Sequence, residues 1–142
     1  MKIPDANLLL YAVDAASPPH SAARRWLEDR LSGTETVGFA WVVLLAFLRL
    51  GTNPRVFREP LEPREALDLI DEWLDQACAA IVEPTDRHPA ILRELLEPLG
   101  TAGNLTTDAH LAALAIEHGA ELCSSDADFS RFPGLRWTDP LA

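Results

Sequence analysis

Apolar positions in this chain fall in short blocks that alternate between two spacings. About Lys2 to Asp5 reads as a first strand, followed by a short helix through "NLLLYAV". A helix is predicted from Pro18 to about Leu31, with Ser17 as its cap and Gly33 just beyond its end. "TVGF" fits a second strand. Val42 to Leu50, "VVLLAFLRL", is apolar nearly all round and predicts a buried helix stopped by Gly51 and Pro54. From about Pro63 to Ala77, Leu67, Ile70, Leu74 and Ala77 form one helical stripe. "AAIVE" reads as a strand, and Thr85 caps a helix reaching about Leu99. "TTDAHLAALAIEHG" is a helix stopped at Gly119, "ELCSS" a strand, and "LRW" a last short one.

Alternating strands and helices imply an α/β fold whose parallel sheet is covered on both faces. With 142 residues, 48% of them hydrophobic, the chain fits one compact domain, residues 1–142. No apolar run reaches the ~18 residues of a membrane helix, and the start lacks the order of a signal peptide. A cytoplasmic protein with no membrane association is expected. Cys78 and Cys123 lie far apart in apolar contexts and are expected as buried free thiols. The formal charge of −10 disfavours a loose nucleic-acid coat but leaves room for a locally basic groove or a basic protein partner. The basic residues are eleven arginines and Lys2.

In a parallel sheet, ligands bind beyond the carboxyl ends of the strands. Three acidic sites map there: Asp5 after the first strand, Asp126 with Asp128 after "ELCSS", and Asp108 in the first turn of the helix leading into that strand. Each has an ordinary explanation alone. "PDAN" is turn chemistry, "SDAD" makes an Asx turn, and Asp108 complements a helix dipole. Together they form a carboxylate cluster that needs cations or protons to neutralise it. Oxygen-only donors suit Mg²⁺ or Mn²⁺, which activate water and hold phosphate for in-line displacement. The four histidines show no ligand spacing and read as surface or packing residues. The tryptophans read as core and interface.

The ordered set "PDANLLLYAVD", "FLRLGTNPRVF", "TTDAHLAALAIEHGAEL" and "SSDADFSRFPGLRW" resembles the PIN-domain ribonucleases, and most nearly the VapC toxins of bacterial toxin–antitoxin pairs. The resemblance covers essentially the whole chain. It implies a PIN-like three-layer α/β/α sandwich with a central, mostly parallel sheet. It further implies a Mg²⁺- or Mn²⁺-dependent endoribonuclease, often acting on structured RNA such as tRNA. Asp5, Asp108 and Asp126 would hold metal, Asp128 would assist, and Asn7, Arg49, Ser124 and Ser125 would orient carboxylates or waters. A VapB-type antitoxin and a toxin homodimer are implied as partners.

One position departs from the pattern. Similar toxins carry a glutamate three residues before the arginine of the third helix, where this chain has Ala46 before Arg49. A lone arginine in a buried helix lacks a partner, so the reading favours a missing acid and an attenuated nuclease over an Arg49 that reaches solvent. A phosphotransfer or receiver-type domain would want a lysine near the acids, and Lys2 is the sole lysine. A catalytically inactive PIN-like binding module stays open; an RNA-cleavage assay with and without Mn²⁺ separates it from the enzyme.

Overall fold

The computed structural model describes all 142 residues, Met1–Ala142. Five strands form one sheet in the order β3-β2-β1-β4-β5, and every pairing is parallel. They are β1 (Lys2–Pro4), β2 (Val37–Ala40), β3 (Ala79–Val82), β4 (Glu121–Cys123) and β5 (Trp137–Thr138). The helices are α1 (Ala6–Val13), α2 (His20–Leu31), α3 (Trp41–Gly51), α4 (Pro63–Leu74), α5 (His88–Leu96) and α6 (Thr106–Glu117). The chain winds from β1 outward to β2 and β3, then returns to the other side of β1 for β4 and β5. Right-handed crossovers in opposite directions put α1–α4 on one face and α5–α6 on the other. The expected three-layer sandwich is present, with its sheet parallel throughout.

The strands register closely: Lys2, Ile3 and Pro4 sit opposite Glu121, Leu122 and Cys123. Gly38 is required in β2, because a Cβ there would lie 2.5 Å from Val82 Cγ2. The core under α3 and α4 is aromatic. Phe39 and Phe47 are fully buried and Trp73 nearly so, with the Phe47 ring 4.8 Å from Trp73 edge to face. Burying each Phe contributes about 1.5–3 kcal/mol. Both cysteines are free; Cys78 is half-buried and Cys123 buried, and burial pushes the Cys123 thiol up to about 12.

Several local expectations shift. Ser17 does not cap α2 by its side chain; the helix begins at His20 behind Pro19. α5 starts at His88, and the Thr85 hydroxyl does two things ahead of it: it accepts the Arg87 N–H at 3.2 Å and donates to Glu117 Oε1 on α6 at 2.6 Å. The Thr85 N–H donates to the same oxygen at 2.8 Å, and Glu117 Oε2 pairs with His88 Nδ1. His88 Nε2 then meets His110 Nδ1 at 2.9 Å. Glu117 is thus a buried, fully partnered tie between α5 and α6.

The larger correction concerns α3, which is not buried all round. Trp41 (50% exposed), Leu45 (56%) and Arg49 lie one turn apart on an outward face, while Val43, Leu44 and Phe47 fill the core. Spacing alone could not say which side the rest of the chain would cover.

Candidate metal centre

β1 and β4 are neighbours whose outgoing connections run to opposite sides of the sheet. The crevice beyond their carboxyl ends is therefore the topological switch point. Asp5 follows β1 and caps α1, its Oδ1 accepting the Ala6 N–H at 2.7 Å. Directly after β4 the chain turns at Ser124 and Ser125, and Asp126 opens a 3-10 turn over Ala127–Arg131. α6 delivers Asp108 from its first turn to the same place.

Ser124 is the hub. It is fully buried, and its hydroxyl uses all of its capacity. The hydroxyl donates to Asp5 Oδ2 at 2.7 Å, and accepts from Asn7 Nδ2 at 3.1 Å and from the Asp126 N–H at 3.0 Å. Asn7 Oδ1 in turn accepts the Ser125 N–H at 3.4 Å. One serine therefore fixes the carboxylate after β1 relative to the turn after β4. The Ser125 hydroxyl points elsewhere and donates to Asp139 Oδ1 at 3.2 Å. Trp137 Nε1 donates to the Ser124 carbonyl at 2.9 Å, bracing the turn from β5. Asp139 and Trp137 were not singled out in the sequence. Asp139 directly follows β5, so the same carboxyl-edge rule would have found it.

Asp108, Asp126 and Asp128 each offer a carboxylate oxygen within 4.8 Å of the others. Asp126 Oδ1 accepts the Asp128 N–H at 2.9 Å, which is the expected Asx turn. Asp5 stands beside this trio rather than within it, although its charge is felt by Asp108. Burial, then the charges of Asp126, Asp5 and Asp128, push the Asp108 carboxyl up to about 6. Burial also raises Asp5, against the hydrogen bonds from Ser124 and Ala6 that lower it, and Asp126 raises it further. Asp108 has no hydrogen-bond donor. A half-buried carboxylate facing three others and lacking any donor suits a hard cation, and the all-oxygen donor set fits Mg²⁺ or Mn²⁺ rather than zinc.

Arg49 is not brought to the acids. It is exposed and makes no ion pair, so the cost of a lone buried charge does not arise. The missing acid at Ala46 then rests on the resemblance alone. Ala46 is half-buried, and α3 carries no acidic residue. The basic side chain beside the trio is instead Arg131, 3.7 Å from Asp128, with both exposed.

Away from the acids, α1, α2 and α4 enclose a cleft of about 600 Å³. Ala12, Val13, Leu27, Leu69 and Trp73 give it an apolar floor, and His20 and Arg24 stand among its lining residues.

The PIN-domain profile matches residues 2–135. Ribonuclease VapC37 of Mycobacterium tuberculosis is 51% identical over 142 residues, covering 100% of this chain and 99% of that one. Ribonuclease VapC33 of the same organism is 46% identical over 141 residues, covering 99% of each. Among solved structures, VapBC2 from Rickettsia felis bound to a promoter DNA fragment superposes with a TM-score of 0.69 at 22% identity, covering 96% of both chains. DNA-bound VapBC from Salmonella typhimurium gives 0.68 at 16%, covering 98% and 97%. At such identities these two speak for the fold.

Proposed function

The chain belongs to the PIN-domain family, among the VapC ribonucleases, and on that footing we propose that it is a Mg²⁺- or Mn²⁺-dependent endoribonuclease toxin of a toxin–antitoxin pair. The whole of residues 1–142 acts as one PIN domain. The observation that carries the reading is the convergence of Asp108, Asp126 and Asp128 at the β1/β4 switch point. Those three hold the cation, and Asp5, positioned by Ser124, completes the negative site. Bound there, a divalent cation supplies a Lewis acid for the scissile phosphate and a water of lowered pKa. The chain's own part is orientation: Ser124 and Asn7 fix Asp5 and the Asp126 turn before any ligand arrives, so no reordering is needed on binding. The substrate is RNA, with tRNA the first pool to test, and the protein acts in the cytoplasm.

As written, the chain is an attenuated nuclease, because Ala46 stands where similar toxins place a glutamate. The same absence on α3 supports a second reading, a PIN-like module that binds without cutting. Mn²⁺-dependent cleavage of a tRNA pool decides between them. The expected outcome is slow cleavage that EDTA abolishes and Ala46→Glu accelerates by ~10–100-fold, the range for lost metal-supporting groups. No cleavage by either form would leave the binding module. Equal rates would show that position 46 only packs.

The partner is a VapB-type antitoxin, and its seat is the cleft between α1, α2 and α4. Its floor at Ala12 and Val13 lies about 12 Å along α1 from Asp5, a span of two helical turns or a few extended residues. A cationic side chain on the partner suits the acids at the end of that path. The exposed Trp41 and Leu45 give the toxin homodimer an apolar surface. Co-expression with the adjacent gene product, followed by gel filtration, tests the pairing; separate elution at micromolar concentration would refute it.

A further inference from the structure

The stretch from residue 49 to residue 64 inverts the charge of the chain. It holds Arg49, Arg55, Arg58 and Arg64 against Glu59 and Glu62, a net of +2, while the remaining residues carry −12. All four arginines are exposed, and none lies within ion-pair distance of a carboxylate. Elsewhere the surface arginines Arg24 and Arg93 are each neutralised by a glutamate one turn on, whereas Arg25 is exposed without an ion pair. The nearby Glu65 is turned back on the backbone, where it accepts the Glu62 N–H at 3.0 Å.

The loop that carries Arg55 and Arg58 is held in shape. The Asn53 carbonyl accepts the Val56 and Phe57 N–H groups at 3.0 Å, and Asn53 Oδ1 accepts the Arg55 N–H at 2.9 Å. The Leu61 N–H closes the loop on the Gly51 carbonyl at 2.9 Å, and Phe57 is buried as its anchor. Arg55, Val56 and Arg58 consequently face solvent on a fixed frame. Its root lies against α1: a Cβ at Gly51 would be 3.8 Å from Leu10 Cδ2. Leu10 is five residues from Asp5, about 7.5 Å along the helix axis.

We propose that residues 49–64 form a surface that binds the phosphate backbone of RNA at nucleotides flanking the acidic centre, since the root of the loop lies at the far end of α3, about 15 Å from the carboxyl edge. Unpaired guanidinium groups are matched to phosphate oxygens in geometry and release counterions on binding. A chain of charge −10 repels RNA elsewhere, so attachment has to be local. The inference rests on the ribonuclease reading, but its test does not require cleavage.

The test is binding of a short labelled single-stranded RNA in EDTA, followed by anisotropy from about 50 to about 200 mM salt. Arg55→Ala/Arg58→Ala is compared with Arg25→Ala/Arg93→Ala, which removes the same charge elsewhere. The loop variant should bind about tenfold more weakly, and its log–log salt slope should fall by about 1.4, or about 0.7 per lost contact on a single strand. The control should match the parent chain within about twofold. Equal loss in both variants would reduce the effect to net charge and overturn the proposal. Unchanged RNA affinity with loss of the co-expressed partner would make the loop a protein-docking surface instead, which also overturns it. If the loop variant loses RNA while no form of the chain cleaves with Mn²⁺, the ribonuclease reading falls and this surface stands.

Discussion

Asp108 and Glu117 lie on the same helix, nine residues and about 14 Å apart, on opposite sides of it. The helix dipole favours the anion at Asp108, in the first turn, and opposes the one at Glu117, in the last. The carboxyl groups respond the other way. Asp108 is pushed up to about 6 by burial and by Asp126, Asp5 and Asp128. Burial would raise Glu117 too, but hydrogen bonds from His88 and Thr85, and the charge of His88, hold it below its usual value. Burial and neighbouring charges at Asp108, and local donors at Glu117, outweigh the dipole. Glu117 is a finished structural contact. Asp108 is short of a counter-charge, which is the condition of a ligand.

Removing Glu117 should do the greatest damage. Glu117→Ala strands the Thr85 N–H and hydroxyl and the His88 ring in a buried space. Breaking such a pair costs about 3–5 kcal/mol, so the melting temperature should fall by about 10 °C. A scanning-calorimetry melt within a degree or two of the parent chain would place Glu117 outside the load of the fold. Ser124→Ala comes next. It leaves the Asn7 amide and the Asp126 N–H without their acceptor and Asp5 Oδ2 without its donor, a loss of about 1–3 kcal/mol in urea unfolding. Mn²⁺ affinity should fall with it, since Asp5 and the Asp126 turn are no longer tied.

Asp108→Asn should act in the opposite sense on the metal-free protein. It relieves repulsion, so the melting temperature should rise slightly. A clear drop would mean Asp108 makes a stabilising contact. The pH dependence is the smallest effect and divides the same pair. The folded-state pKa of Asp108 is raised, so its contribution is fully present below about 4 and is lost as pH rises through about 6. That of Glu117 is depressed, so its contribution is present above its unfolded value and lost as pH falls through the folded one. Urea midpoints between pH 4 and 7 should decline less steeply with rising pH in Asp108→Asn than in the parent chain, and saturating Mn²⁺ should remove the decline.

The sequence made Asp5, Asp108, Asp126 and Asp128 visible because each sits next to a strand end or helix start that local pattern already marks. The Ser124 hub was half visible: the serine is adjacent to Asp126, but its bonds to Asp5 and Asn7 cross 119 and 117 residues. Glu117 was invisible for the same reason, since its partners Thr85 and His88 are distant in the chain and the text "AIEHG" reads as an ordinary helix end. The outward face of α3 was missed because a run apolar on every side does not say which side its neighbours cover. That tertiary fact also exposed Arg49 and removed the argument built on its burial.

The most direct test of the account is calorimetric titration of Mn²⁺ into the chain, into Asp108→Asn and into Glu117→Gln, all at pH 7. The parent chain should show a saturable site, weakened by ~10–100-fold or more in Asp108→Asn and retained in Glu117→Gln. Equal binding by Asp108→Asn and the parent chain would contradict the account.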